Sequence, residues 1–489
     1  MIRNEVRLGF YLDSVALMRA ARAVAALPGV EEAGMMIGTP ANKEILREAG
    51  VLDEAGAQAG PGDLVIAVRA RDADAAAAAM TEARRLLDQP RRGEGGDTAW
   101  QPRTLRTALQ QMPDANFALI SVPGDFAVAE ARKALRRGLN VMIFSDNVPL
   151  AQEAALKREA RDLGLLVMGP DCGTAIIGGV PLAFANSVPR GDVGIVGASG
   201  TGIQEVSCLL ANAGRGISHA IGTGGRDLSV EVGGITTLAA IDLLDNNAAT
   251  RHVVLISKPP APDVAKQILA RVGRSAKPFT VCLIGSRPDG ALPANARFAG
   301  TLAEAAEAVL GRKLATYQGA LPKPASAKRI RGLFCGGTLC AEAQLILQRS
   351  GVDVVSNAPI PGTGRLGANR DAHVLIDLGD DKFTRGRPHP MIEPATRDAP
   401  LVEALGDKTV GVVMLDVILG WGSHPDPAGQ VVRALGNRSG SGPVIVASVT
   451  GTETDPQVRS SQVRKLTDAG IIVAPSNANA AEIAVQWVR

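Results

Sequence analysis

A glycine-rich turn between an apolar strand and a helix constrains the fold of this chain more than any other feature. Residues 194–205 read GIVGASGTGIQE, where an apolar run is followed by closely spaced glycines and then by an apolar-periodic segment. This pattern predicts a strand, a turn and a helix. Glycines let a ligand approach the backbone, and the free N–H groups and the dipole of a helix N-terminus attract anions. The turn therefore predicts a site for a phosphate or a carboxylate.

The same pattern occurs a second time at residues 332–342, which read GLFCGGTLCAE. Aligned with the first copy, the Gly-Thr pair at 200–201 falls on the pair at 337–338. Two similar α/β units in one chain predict a pseudo-symmetric pair whose helix N-termini face one ligand. Neither copy has the spacing of a P-loop or of a dinucleotide-binding turn. The predicted phosphate-binding or acyl-phosphate-binding residues are Ser199, Gly200, Thr201 and Gly202 in the first copy and Gly336, Gly337 and Thr338 in the second.

Strand-like and helical runs alternate along most of the 489 residues, which predicts an α/β protein with parallel sheets. We expect three domains, in which a parallel-sheet N-terminal region precedes two further α/β domains. In chain order the expected parts are a small α/β unit (1–100), a βαβ region (101–189), an α/β domain (190–312), a linker (313–330) and a second α/β domain (331–489).

Charge, hydropathy and cysteine usage exclude several classes of protein. The net charge of +3 is spread along the chain, and no basic run is interleaved with aromatic residues, so we expect no nucleic-acid partner. The chain starts without an apolar signal segment, and no apolar stretch approaches the ~18–20 residues that cross a membrane, so we expect a cytoplasmic protein without membrane contact. The five cysteines lack paired C-x-x-C spacing, so we expect neither disulfides nor a metal site.

Several side chains with acid–base or charge-pairing chemistry fall in turns and helix starts. Arg226, in a GTGGRD turn, could pair with a phosphate oxygen or form an ion pair with a neighbour. His389 and His424, each followed by proline in a loop, are candidates for a general acid or base, and the alternative is a solvated loop histidine. Glu205 and Glu342 fall in first helical turns, where we expect them to stabilise helices.

Residues 117–311 resemble the α subunit of succinyl-CoA synthetase, through GPDC at 169–172 and the turns at 194–201 and 222–227. Residues 331–489 are similar to the C-terminal domain of the β subunit. The resemblance implies that residues 101–189 correspond to the end of a CoA-binding domain and that the two later domains are flavodoxin-like and ligase-like.

With YLDSV at residues 11–15 and MIGTPANK at 36–43, the chain resembles FdrA-type acyl-CoA-synthetase-like proteins over essentially its whole length. It is similar to an α–β fusion that lacks the ATP-grasp part. In the synthetase the two helices hold a phosphorylated histidine in a Gly-His-Ala-Gly motif, but residues 285–291 contain no histidine. The N-terminal CoA-binding glycine motif of the α subunit is also missing.

The resemblance implies an acyl-transfer enzyme that binds a small acyl phosphate directly. FdrA-type chains are associated with allantoin and purine catabolism, where relatives are subunits of an oxamate carbamoyltransferase. We therefore expect carbamoyl transfer between carbamoyl phosphate and oxamate, an oligomer and other subunits of a catabolic complex. The candidate ligands are CoA, phosphate and carbamoyl phosphate. Two alternatives remain: an acyl-CoA synthetase component that works with a separate ATP-grasp chain, and a non-catalytic binding or regulatory subunit.

Overall fold

The computed structural model describes the chain except residues 11, 13, 89–101, 103, 289, 322–328, 368–371, 385–387, 437–441 and 489, and the side chain of residue 15. Two compact units are present: Met1–Ala108 with Asp381–Pro388, and Leu109–Asp380 with His389–Arg489. Part of the linker expected at 313–330, and residues 11 and 13 of the YLDSV stretch, lie outside the described residues. The domain boundaries that the sequence suggests stay a prediction.

The first unit contains a three-stranded antiparallel sheet. Its elements are β1 (Ile2–Arg7), α1 (Ser14–Ala25), β2 (Val30–Ile37), α2 (Pro40–Glu48), α3 (Glu54–Gln58), β3 (Leu64–Ala70) and α4 (Ala73–Asp88). The strand order is β1-β3-β2, and the central strand β3 is buried along nearly its whole length. The turn before α2 is capped, since the Thr39 side chain accepts a hydrogen bond from Asn42 N.

A parallel sheet of three strands follows. Its elements are α5 (Leu105–Gln111), β4 (Phe117–Ile120), α6 (Gly124–Leu135), β5 (Asn140–Ile143), α7 (Leu150–Asp162) and β6 (Val167–Met168), with strand order β4-β5-β6. This is the parallel sheet expected in the N-terminal region, whereas the sheet of the first unit is antiparallel. The alternation of strands and helices did not distinguish the two, because a long helical connection can join parallel or antiparallel strands, as it does between β2 and β3.

The first seven-stranded sheet contains the first glycine-rich turn. Its elements are β7 (Thr174–Ile177), β8 (Val180–Ala183), β9 (Arg190–Gly197), α8 (Gly200–Asn212), β10 (Ile217–Gly222), α9 (Ile235–Asn246), β11 (His252–Ser257), α10 (Pro262–Val272), β12 (Phe279–Leu283), β13 (Ala296–Ala299) and α11 (Leu302–Leu310). The five parallel strands run β10-β9-β11-β12-β13, which is the flavodoxin-like order. The β7–β8 hairpin extends the same sheet beside β10.

The second seven-stranded sheet is fully parallel and contains the second glycine-rich turn. Its strands are β14 (Arg329–Phe334), β15 (Val354–Ser356), β16 (Gly364–Arg365), β17 (His373–Asp377), β18 (Val410–Ile418), β19 (Val444–Thr450) and β20 (Ile472–Ala474). Its part of the chain also carries the helices α12 (Gly337–Arg349), α13 (Asp381–Thr384), α14 (Asp398–Gly406), α15 (Pro427–Leu435), α16 (Arg459–Asp468) and α17 (Asn477–Val488) and a 3₁₀ helix at Pro394–Arg397. The order β17-β14-β18-β19-β20 repeats the flavodoxin-like order, with β15 and β16 added at the edge.

The helices α8 and α12 are buried between the two seven-stranded sheets. Residues of both helices, among them Ile203, Val206 and Leu339, belong to one continuous hydrophobic core. Helices that are apolar on nearly every side are expected in such a position. The α/β fold class with two flavodoxin-like domains is therefore confirmed. No described helix combines the length and the hydropathy needed to cross a membrane.

Candidate functional site

The N-termini of α8 and α12 meet. Ser199 is the N-cap of α8, and its Oγ accepts a hydrogen bond from Gly202 N at 3.0 Å. The same Oγ is hydrogen-bonded to Oγ1 of Thr338 in the first turn of α12. A Cβ added at Gly336 would lie 3.1 Å from Thr201 Cβ. The two duplicated turns are thus in direct contact, as the pseudo-symmetry predicts.

Four backbone N–H groups at this junction are not used by the protein. Within the part of the chain that the structure describes, the amides of Gly200, Thr201, Gly337 and Thr338 have no acceptor. Each helix N-terminus carries about half a positive charge, so two like partial charges face each other. A bound anion would satisfy these donors and offset the repulsion, which is the chemistry that phosphate or carboxylate binding requires.

Two of the seven predicted anion-binding residues donate their amides elsewhere. The amides of Cys335 and Gly336 donate to the two carboxylate oxygens of Asp416, both at 2.7 Å. Asp416 is fully buried, and Arg397 Nη1 donates to its Oδ1 at 3.1 Å. Burial raises the pKa of Asp416, and Arg397 opposes the rise. The Gly336 amide is therefore closed to a ligand, and the Gly202 amide is taken by the Ser199 cap.

Asp377, which was not among the predicted site residues, lies at the same junction. It is the last residue of β17, and a Cβ added at Gly337 would lie 2.6 Å from its Oδ2. Its Oδ1 accepts a hydrogen bond from Gly379 N at 2.9 Å. Burial raises the pKa of Asp377 to about 6, and the Lys258 ammonium opposes the rise. A carboxyl group that titrates near neutral pH thus borders the free amides of α12.

His389 approaches Asp377 from the other side of Gly379. A Cβ added at Gly379 would lie 2.7 Å from His389 Nε2 and 3.2 Å from Asp377 Oδ1. Burial lowers the pKa of His389 to about 4, so the ring is neutral at pH 7. Its Nδ1 accepts a hydrogen bond from Met391 N at 3.2 Å, which places the ring proton on Nε2. His389 is therefore a hydrogen-bond donor toward the site, whereas a general base would need a free Nε2.

His424 lies beside the segment that carries His389. His424 N donates to Met391 O at 2.8 Å, and the ring Nδ1 accepts from Asp426 N at 3.0 Å. The two predicted histidines are thus close in the fold, although 35 positions apart in number. An acid–base role of either histidine stays a prediction.

Arg226 belongs to a buried ion cluster. Its Nη2 lies 2.8 Å from Glu153 Oε2 and donates to Val148 O at 2.8 Å. Lys157 Nζ contacts Glu153 Oε1 at 3.0 Å and Asp227 Oδ1 at 2.8 Å, and these three side chains are almost fully buried. These contacts link α7 to the turn that follows β10. The structure gives Arg226 a partner within the protein, so we leave it out of the site that we propose.

Glu205 and Glu342 cap helices other than their own. Glu342 Oε1 accepts from Leu302 N at 2.6 Å, at the start of α11. Glu205 Oε1 accepts from Asn477 N at 3.1 Å, at the start of α17, and Asn477 Nδ2 donates to Glu342 Oε2 at 2.7 Å. Burial raises the pKa of both carboxyls, that of Glu342 to about 7. A helix-stabilising role was expected, but the helices that Glu342 and Glu205 stabilise are α11 and α17.

Two further features concern ligands. A small, mostly apolar cavity of about 30 Å³, partly open to solvent, lies at the carboxyl ends of β9 and β11, with Ala198, Ser257 and Ile268 in its lining. Among the described residues no three His, Cys, Asp or Glu side chains are grouped as metal ligands. Burial raises the pKa of the Cys172 thiol to about 12, which makes it an inert cysteine.

Three family models match parts of the chain. The model of the AllF heavy metal-associated domain matches residues 1–102, a CoA binding domain matches 189–282, and a CoA-ligase domain matches 333–486. The two glycine-rich turns fall in the second and third of these ranges. Residues 1–102 contain neither cysteine nor histidine, so the heavy-metal name of the first model does not imply thiol ligands here.

Similar proteins and a similar solved structure cover different shares of the chain. YahF of Escherichia coli (strain K12) is 40% identical over 510 residues, covering 100% of this chain and 98% of YahF. The α subunit 1 of an ADP-forming succinate–CoA ligase from Archaeoglobus fulgidus is 26% identical over 190 residues, covering 36% of this chain and 64% of that subunit. An acetyl-coenzyme A synthetase structure from Ca. Korarchaeum cryptofilum, in complex with phosphate and ADP, covers 76% of this chain and 84% of that chain at 17% identity, with a TM-score of 0.30.

Proposed function

Because the chain belongs to the FdrA-type family of acyl-CoA-synthetase-like proteins, we propose that it is the phosphate-holding subunit of an acyl-transfer enzyme. We propose carbamoyl phosphate as the acyl phosphate and oxamate as the acceptor, in allantoin and purine catabolism. The enzyme would work without a phosphohistidine and together with other subunits. The observation that carries this proposal is the contact between two helix N-termini that leaves four amides without acceptors.

The junction suits a small acyl phosphate in charge and in hydrogen-bond donors. A phosphate bound directly between α8 and α12 would occupy the amides of Gly200, Thr201, Gly337 and Thr338. Each helix terminus contributes only ~0.3–1 kcal/mol toward an anion, and each hydrogen bond to a charged group ~1.5–3 kcal/mol, so the amides dominate binding. When the acyl–oxygen bond breaks, negative charge grows on the leaving phosphate, and donors already in place stabilise it.

The experiment that tests this proposal is an acyl-transfer assay on the complete complex. The chain is co-expressed with the proteins encoded beside it, and phosphate release from carbamoyl phosphate is measured with and without oxamate. We expect oxamate-dependent release that falls at least tenfold in Gly200→Val and Gly337→Val. A Cβ at these positions would lie 2.8 Å from Thr174 Oγ1 and 2.6 Å from Asp377 Oδ2, so both changes distort the junction.

Gly62→Val is the matched control, since a Cβ at Gly62 meets no atom within 4 Å. This variant should retain the wild-type rate. If wild-type complex releases no phosphate in an oxamate-dependent manner, carbamoyl transfer to oxamate is excluded. If the two junction variants keep the wild-type rate, the acyl phosphate binds elsewhere.

A second candidate function is that of an acyl-CoA synthetase component that works with a separate ATP-grasp chain. The matches to a CoA binding domain and a CoA-ligase domain favour it. Thermal-shift titration with CoA, phosphate, carbamoyl phosphate and oxamate separates the functions. A response to CoA alone favours the ligase, and no response to any of the four favours a non-catalytic regulatory subunit.

A further inference from the structure

Asp377 has one carboxylate oxygen that the protein leaves free. Its Oδ1 accepts from Gly379 N, whereas Oδ2, which lies against Gly337, has no hydrogen-bond partner among the described residues. The side chain is only 6% exposed. Oδ2 is not among the fully buried side-chain atoms that lack a partner, so it still reaches solvent and is accessible to a ligand held at the N-terminus of α12.

The backbone of Asp377 is fixed by Asn357. Asn357 Nδ2 donates to Asp377 O and Asp377 N donates to Asn357 Oδ1, both at 2.9 Å. Together with the hydrogen bond from Gly379, these contacts hold the carboxyl in one orientation. Oδ2 therefore stays beside Gly337, whose amide is one of the four without an acceptor, and from there it can act on an anion that this amide binds.

The charges that surround Asp377 leave its protonation state open to change. Lys258 favours the carboxylate, while Asp380 and Asp416 disfavour it. His389, which borders the same glycine, is neutral at pH 7 and adds no charge. Two negative charges within hydrogen-bond distance cannot both persist at low cost, so an anion at the amides would draw a proton onto Asp377.

We propose that Asp377 is the proton-transfer group of this site, shuttling a proton between an anion held at the α12 N-terminus and the attacking acceptor. The inference rests on the proposed function and names a residue for it. Protonated Asp377 donates through Oδ2 to a phosphate oxygen of the bound acyl phosphate. His389 Nε2–H lies beside it and serves as a positioning residue.

The proton balance of carbamoyl transfer fits this role. The acceptor nitrogen forms a bond to the carbamoyl carbon, the bond from that carbon to the phosphate oxygen breaks, and the electron pair leaves with phosphate. The proton of Asp377 moves to the departing phosphate, and the carboxylate then takes the proton that the attacking nitrogen loses. Asp377 ends in its starting state, and no oxidant, reductant or further reactant is needed.

The first test measures sulfate binding to the full chain by titration calorimetry between pH 5 and pH 8. Sulfate resembles phosphate but does not titrate in this range, so a pH dependence reports on the protein. We expect wild-type affinity to fall about tenfold per pH unit above pH ~6, as uptake of one proton requires. Asp377→Asn, which mimics the protonated acid, should bind sulfate with the same affinity at every pH. Asp468→Asn, at an exposed carboxylate, is the matched control and should keep the wild-type pH dependence.

The second test measures carbamoyl transfer in the complete complex. Asp377→Asn should lower kcat by at least ~10²-fold while sulfate still binds. If Asp377→Asn does not fold, Asp377→Ser, with a smaller side chain, replaces it in both tests. His389→Gln should shift KM and kcat less than Asp377→Asn does.

The outcomes separate this inference from the proposed function. The role of Asp377 is overturned if the sulfate affinity of wild type does not change with pH. It is also overturned if Asp377→Asn keeps the wild-type pH dependence or the wild-type transfer rate. Proton-coupled sulfate binding without transfer to oxamate supports the coupling at Asp377 and overturns carbamoyl transfer. No sulfate binding at all overturns both.

Discussion

The hydrogen bond between Ser199 and Thr338 offers a direct measure of the contact between the two helix N-termini. Ser199 Oγ serves two partners, the amide of Gly202 in its own helix and the hydroxyl of Thr338 in the other. Thr338→Val removes the second interaction and keeps the first. Ser199→Ala removes both. The pair of substitutions therefore forms a double-mutant cycle in which only the contact between helices is shared.

The magnitudes follow from the two interactions. Thr338 is 4% exposed and Ser199 8% exposed, so solvent does not replace the lost partner. Thr338→Val should lower the free energy of unfolding by ~1–2 kcal/mol, because a buried hydroxyl loses its partner. Ser199→Ala should cost ~2 kcal/mol, since it adds the loss of an N-cap. When Ser199→Ala is already present, adding Thr338→Val should lower the free energy of unfolding only slightly, because the shared hydrogen bond is already lost. The coupling energy of the two substitutions is then ~1 kcal/mol.

The assay is urea unfolding of the four proteins, followed by tryptophan fluorescence and by far-UV circular dichroism. Trp487, buried in α17, reports on the core that contains both helices. Coincident transitions of the two probes allow conversion of the midpoints into free energies. A coupling energy below ~0.3 kcal/mol would refute the reasoning, because two sites that add independently do not touch in solution. The shared anion site would then be lost as well.

Two other predictions concern buried charges. Lys157→Met should lower the free energy of unfolding by ~3–5 kcal/mol, because it leaves the Glu153 and Asp227 carboxylates with one cation fewer. Adding Glu153→Gln should recover part of the loss, and a urea midpoint unchanged by Lys157→Met would contradict the ion cluster. In the folded protein the pKa of Glu342 is raised to about 7, so its contribution to stability is full below the ordinary pKa of a glutamate and is lost as the pH rises through about 7. Thermal unfolding from pH 4.5 to pH 8 should show this loss in wild type and a flatter profile in Glu342→Gln. Parallel profiles of the two proteins would contradict the raised pKa.

The repeated turn made much of this architecture predictable. Because a strand–turn–helix pattern fixes where the helix N-terminus lies relative to the sheet, the Gly-Thr pairs at 200–201 and 337–338 located both helices. Their similarity indicated a pseudo-symmetric pair, and the direct contact of Ser199 with Thr338 agrees with it. The alternation of strands and helices predicts parallel strands but not their order, and the flavodoxin-like order was implied by the resemblance to succinyl-CoA synthetase.

The partners of single polar groups were not predictable, because they come from distant parts of the chain. Asp416 occupies the Gly336 amide from a strand 80 positions later, and no local pattern shows that this donor is taken. Glu205 and Glu342 were expected to stabilise their own helices, but tertiary packing directs them to others. The sequence also does not show that Asp377 Oδ1 accepts from Gly379 N while Oδ2 has no hydrogen-bond partner among the described residues, because this difference arises only in the folded site.

The reciprocal caps of Glu205 and Glu342 have a consequence for how this chain is made. During synthesis the amide of Leu302 has no carboxylate acceptor until Glu342, 40 positions later, has been added. Glu205 likewise lacks the Asn477 amide until the chain is nearly complete. We therefore expect each of these two helix starts to gain its cap only after the other part of the chain has been made. Loss of α17 would leave Glu205 without the amide of Asn477.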